Sequence, residues 1–136
     1  MLGYQFLLPL FGERIATAVL NHVNAKRYLV AEDPTYYNTL SPASQHSLYL
    51  QGGPYEKEGE EYLAFKTGPY FQESVQLRFY DDRAKVCEQQ ILPIESYQEL
   101  IIKAAHSHLS QTYTKEQIDY VIDLIEQTQK KYLASF

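Results

Sequence analysis

Hydrophobic and polar positions alternate most strictly between Phe71 and Tyr80. Phe71, Val75, Leu77 and Phe79 fall on one side of that alternation, and Gln72, Ser74, Gln76, Arg78 and Tyr80 fall on the other. A period of two with one polar face predicts a strand in an antiparallel sheet wetted on one side. His46 to Gln51 alternates in the same way, and Glu61 to Thr67 reads as its partner across a tip from Gly52 to Glu60. Arg27 to Glu32 is a short β-type run closed by Asp33-Pro34, and residues 33–45 read as a long loop. Asp81-Asp82-Arg83 reads as a turn, after which Ala84 to Leu92 returns as an edge strand.

Three stretches carry the helical period instead. Ile15, Val19 and Val23 recur every fourth residue, which predicts a helix from Glu13 to Val23, while Pro9 argues against an unbroken helix through the first eleven residues. Ser96-Tyr97-Gln98-Glu99 and Thr114-Lys115-Glu116-Gln117 both fit a capping box, and an apolar stripe follows each. The expected architecture is a single α+β domain over residues 1–136. It has an N-terminal helix, an antiparallel meander of four to five strands, and two C-terminal helices on one sheet face.

Size and charge narrow the function classes. A chain of 136 residues, 45% hydrophobic, buries enough surface for one core without disulfides. Twelve basic against seventeen acidic residues give a net charge of −5, and the densest basic runs, Lys26-Arg27 and Lys130-Lys131, are only pairs. Nucleic acid is therefore not an expected partner. Cys87, the lone cysteine, makes no internal disulfide, which points to a reducing, cytoplasmic setting. Met1 to Phe11 is apolar but too short to span a bilayer and lacks a basic flank; it reads as core or as a docking segment, with no transmembrane span.

No cofactor or metal motif stands out. The chain has no phosphate loop, no dinucleotide fingerprint and no nucleophile elbow. His106 and His108 diverge on a helix and do not share a metal readily, His22 suits a helix C-terminus, and His46 begins an expected strand. Asp81 and Asp82 suit a turn better than a pair of catalytic carboxylates.

Tyrosine is the unusual feature: thirteen Tyr, no Trp, and eight of the Tyr between Tyr28 and Tyr80. Residues 55–62 add four Glu against one Lys. Phenol rings give contact area at low entropic cost, and carboxylates steer a basic partner. These features favour a binding role over catalysis. The expected function is an acidic protein-interaction module of inhibitor, immunity or adaptor type. Its partner surface would be Tyr36, Tyr37, Tyr55, Glu56, Glu58, Glu60, Glu61 and Tyr70. One alternative is a small-molecule-binding domain or small enzyme with a pocket between the sheet and the C-terminal helices, drawing on Glu73, Cys87, Tyr97 and His108. Another is a homo-oligomeric structural component.

Overall fold

The computed structural model describes residues 2–85 and 91–133, and every regular element among them is helical. In chain order they are α1 (Leu2–Leu20), α2 (His22–Glu32), a 3-10 turn (Pro34–Thr39), α3 (Pro42–Leu50), α4 (Glu60–Thr67), α5 (Phe71–Arg83), a second 3-10 turn (Ile94–Tyr97), α6 (Gln98–Leu109) and α7 (Lys115–Leu133). No strand occurs among the described residues. The expected α+β fold with its four- to five-stranded antiparallel sheet is therefore corrected to an all-helical one. Residues 86–90 of the expected edge strand, Cys87 among them, lie outside the described residues.

The reason lies in what the helices bury. On α5 the residues most removed from water are Ser74 and Arg78, at 0% and 1% exposure. With half-buried Phe71 and Val75 they recur at spacings of three and four, which is a helical face. Because its centre is polar, the apolar residues left over alternate by accident. The same holds for α2, which buries Lys26 beside Ala25 and Val30, and for α3, which buries Ser44 with Leu48. In the segment expected to alternate as a strand, Leu48 is buried while Leu50 is 69% exposed.

Local signals set the helix boundaries. Ser41 accepts from the Ser44 N–H at 3.3 Å and Pro42 opens α3, as a capped N-terminus requires. Asp33 accepts from the Thr35 N–H at 2.9 Å and starts the first 3-10 turn. Glu60 and Glu61 occupy the first turn of α4 and Lys66 its last, matching the helix dipole. Gly12, at φ 76°, breaks α1 with a backbone conformation that side-chain-bearing residues rarely adopt.

The chain divides into two compact units, one of Met1–Leu8 with Gly12–Ile91 and one of Pro9–Phe11 with Leu92–Phe136. The core of the first joins Ala25, Tyr28, Tyr55, Tyr62 and Phe65, with Leu29, Phe71 and Val75 packed against it. Its rings meet closely: Tyr28 lies 4.9 Å from Tyr62 and 5.1 Å, edge on, from Phe71. A second cluster holds Val30, Leu40 and Leu48 against Tyr36. In the second unit the Thr114 box forms as expected: Thr114 Oγ1 accepts from the Gln117 N–H at 3.3 Å, and Gln117 Oε1 accepts from the Thr114 N–H at 2.9 Å. Ser96 instead lies inside the second 3-10 turn, and α6 begins at Gln98 without a side-chain cap.

Candidate functional site

Helix α2 lies against both α3 and α5, and their facing sides carry the polar residues that the core excludes elsewhere. His22 and Lys26 stand one turn apart on α2. Ser44 and Ser47 face Lys26 from α3, and Arg78, Asp81 and Asp82 come from the last turns of α5, with Lys85 just beyond. Tyr36 reaches in from the first 3-10 turn.

Arg78 is the hub. Its Nε–H points to Tyr36 Oη at 3.2 Å and Asp82 Oδ2 at 3.1 Å, and its Nη2 donates to Asp82 Oδ1. Nη1 stands 3.0 Å from His22 Nε2 and 3.4 Å from Asp81 Oδ2. The Tyr36 hydroxyl donates to Asp82. Lys26 donates from Nζ to Ser47 Oγ at 2.6 Å and to the Ser44 carbonyl at 3.3 Å. Lys85 donates to Asp81 and, at 3.3 Å, to Ser44 Oγ.

Burial and neighbouring charge set the protonation states. Burial and the Arg78 guanidinium push the His22 imidazole below its ordinary pKa, outweighing Asp81. His22 is thus neutral near pH 7, with Nε2 accepting from Arg78. Burial also lowers the Lys26 ammonium, helped by Arg78 and Lys85. Burial opposes the charge on Arg78, but its bonds to Tyr36 and Asp82 win and raise it. The Tyr36 phenol is pushed up to about 12 by burial and by Asp82. Burial works against ionised Asp81 too, yet Lys85, His22 and Arg78 hold its carboxyl below the usual range. Three cations against two carboxylates leave this cluster one positive charge, inside a chain of net −5.

His22 Nε2 and Asp81 Oδ2, 3.5 Å apart, are donors of the kind that hold transition metals. Among the described residues no group of three or more His, Cys, Asp or Glu side chains is arranged around a metal position. The same atoms already face Arg78. The donor set is therefore partial.

Of the described residues put forward from sequence for a partner surface or a pocket, all but one fall elsewhere. Tyr36 enters the cluster. Tyr55 is buried, with the Arg27 guanidinium 4.2 Å above its ring. Tyr37 is 39% exposed, and Tyr70 precedes α5 in a left-handed conformation. Glu56, Glu58, Glu60 and Glu61 are exposed; Glu61 accepts from Arg27 at 3.3 Å, and Glu58 lies 3.8 Å from Lys66. Glu73 pairs with Arg14 at 2.9 Å on the surface of the first unit, while Tyr97 and His108 belong to the second and Cys87 lies outside the described residues. Asp81 and Asp82 lie within α5 rather than in a turn. Lys26 and Arg78 escaped the sequence reading. The signal available was the i, i+4 spacing of His22 with Lys26 and of Arg78 with Asp82.

The chain matches no protein-family profile. It is 41% identical over 93 residues to an uncharacterized protein of Acanthamoeba polyphaga mimivirus, covering 68% of this chain and 42% of that one. It is 42% identical over 83 residues to the [1-hydroxy-2-(trimethylamino)ethyl]phosphonate dioxygenase (glycine-betaine-forming) of Leisingera caerulea, covering 61% and 41%. It is 39% identical over 95 residues to the hydroxymethylphosphonate dioxygenase of Gimesia maris, covering 70% and 46%. The chain spans less than half the length of each of these relatives. Two of them are enzymes acting on phosphonates, and this corrects the expected protein-interaction module with its inhibitor, immunity or adaptor role. No helix among the described residues is long and apolar enough to cross a membrane.

Proposed function

We propose that the α2–α3–α5 cluster is the phosphonate-recognising part of an oxygenase site for hydroxyphosphonates. The observation that carries this reading is the surplus positive charge, lined by serine hydroxyls, in an otherwise acidic protein. A phosphonate is a tetrahedral anion whose oxygens accept several charge-assisted hydrogen bonds. Lys26 offers a buried ammonium, two of whose three N–H donors are held by Ser47 Oγ and the Ser44 carbonyl, and Lys85 donates to the neighbouring Ser44 hydroxyl. Arg78, fixed behind them, adds field without needing to reorganise.

The chemistry of the relatives' named substrates suits such a holder. A carbon bearing hydroxyl, hydrogen and phosphonate, taken with one O2 to a carboxylate, balances with hydrogen phosphate and one proton. A tetrahedral anion is therefore bound both before and after the reaction. A redox centre supplies the dioxygen chemistry in such enzymes. His22 and Asp81, once released from Arg78, would supply it one imidazole and one carboxylate, one imidazole short of the set common in non-haem iron oxygenases. What this chain's own residues contribute is binding and orientation of the anion.

Methylphosphonate, which has no hydroxyl to oxidise, is the probe. Calorimetry or 31P line broadening is expected to show binding to the full chain. Lys26→Met is expected to weaken it about tenfold or more, and Glu73→Gln to leave it unchanged. Absence of binding, or equal binding by Lys26→Met, overturns the assignment. Oxygen uptake with hydroxymethylphosphonate and ferrous ion tests the oxygenase half separately.

A further inference from the structure

We infer that Tyr36 is a positioning residue for this anion site, holding the Arg78 guanidinium in the orientation that presents Nη1 toward His22 and Asp81. The inference rests on the phosphonate reading and assigns a role to a residue outside the three helices that build the cluster. Tyr36 closes a ring of hydrogen bonds: its hydroxyl donates to Asp82, its oxygen lies 3.2 Å from the Arg78 Nε–H, and Asp82 accepts from both Arg78 nitrogens on that side. Two atoms of Arg78 are thereby tied to one carboxylate and one phenol, which leaves the guanidinium plane a single orientation. Nη1 then meets His22 Nε2 at 3.0 Å and Asp81 Oδ2 at 3.4 Å.

The phenol is itself held at three points. Its ring meets Phe79 edge on at 6.2 Å and packs against Val30, Leu40 and Leu48. The 3-10 turn that carries it is capped by Asp33. A long aromatic arm anchored at its base and along its ring can fix a charge at its tip at small entropic cost. Removing only the hydroxyl leaves the arm in place and takes away one donor to Asp82 and one of the two acceptors of the Arg78 Nε–H, so that the Arg78–Asp82 pair alone holds the guanidinium.

Tyr36→Phe is the test, read in two ways on the full chain. Methylphosphonate affinity is expected to fall about tenfold, while circular dichroism and the thermal midpoint stay near those of the parent. The Arg78 Nε–H resonance, assigned by its loss in Arg78→Lys, is expected to broaden into exchange with water. If Tyr36→Phe binds methylphosphonate as the parent does while Lys26→Met does not, the inference is overturned and the phosphonate reading stands. If the parent binds no methylphosphonate, that reading falls, and a sharp Arg78 Nε–H signal in Tyr36→Phe overturns the positioning role as well. If Tyr36→Phe does not fold, Asp82→Asn takes its place in the same two measurements. It keeps the phenol and removes the charge that the phenol fixes. Parent-like affinity with a sharp signal in that variant is again fatal to the inference.

Discussion

Lys26 shows what a functional residue costs the fold. It is 3% exposed, and burial lowers its pKa, as do the charges of Arg78 and Lys85. A folded-state pKa below the unfolded value means that the unfolded chain binds the proton more tightly. The penalty is then present at neutral pH and fades as pH rises toward the ordinary lysine value near 10.5. Lys26→Met fills much the same volume without the charge. The Ser44 carbonyl keeps a partner, because Ser47 Oγ donates to it at 3.0 Å. The variant is expected to be more stable than the parent by about 1 kcal/mol at pH 7, measured by urea unfolding, with the gain shrinking by pH 10. A loss of stability would mean that Lys26 is a structural ion rather than one kept for a ligand.

At the scale of elements, the same polar residues explain how much the sequence disclosed. α7 was legible because its face is apolar and its start carries a Thr114/Gln117 box that forms as read. α2, α3 and α5 were not. Their inward faces centre on Lys26, Ser44, Ser74 and Arg78, so the hydropathy period that announces a helix is erased where the chemistry sits. The stretch from Glu56 to Glu61 reads as a hairpin tip running into a strand, but its last two residues form the favourable first turn of α4. Of the described residues put forward for a partner surface or a pocket only Tyr36 reached the cluster, on aromatic composition alone, whereas His22, Asp81 and Asp82 read as helix-end and turn residues. Nothing local in the sequence announces that residues 56 positions apart, His22 and Arg78, will meet.

The packing of α2 on α4 and α5 carries its own pH dependence. Burial, and then its bond to Tyr62, push the Tyr28 phenol up to about 12. A phenol whose folded pKa lies above its unfolded value stabilises the fold fully below pH 10, and that contribution disappears as pH rises from 10 toward 12. Thermal midpoints are expected to fall steeply over this window. In Tyr28→Phe the fall should be shallower though not abolished, because Tyr36 is raised to about 12 as well. Identical alkaline profiles for parent and variant would place the titration elsewhere.

At the scale of the molecule the question is whether a chain of net −5 attracts an anion through its overall field or despite it. The positive cluster is local: Arg78 is buried at 1% exposure and Lys26 at 3%, while much of the acidic charge, Glu56, Glu58, Glu60 and Glu61 included, is solvent-exposed. Mobile salt screens exposed charges beyond a Debye length of about 8 Å at physiological strength, but it penetrates buried pairs poorly. The two sources therefore respond differently to salt. Recognition by Lys26 and its serine neighbours predicts that methylphosphonate affinity changes by less than about threefold between roughly 0.05 and 0.5 M sodium chloride. Recognition by exposed lysines predicts a loss far steeper than that. Calorimetric titration across the series decides the point, and a steep loss that persists in Lys26→Met would move the anion site off the α2–α3–α5 cluster and onto the surface.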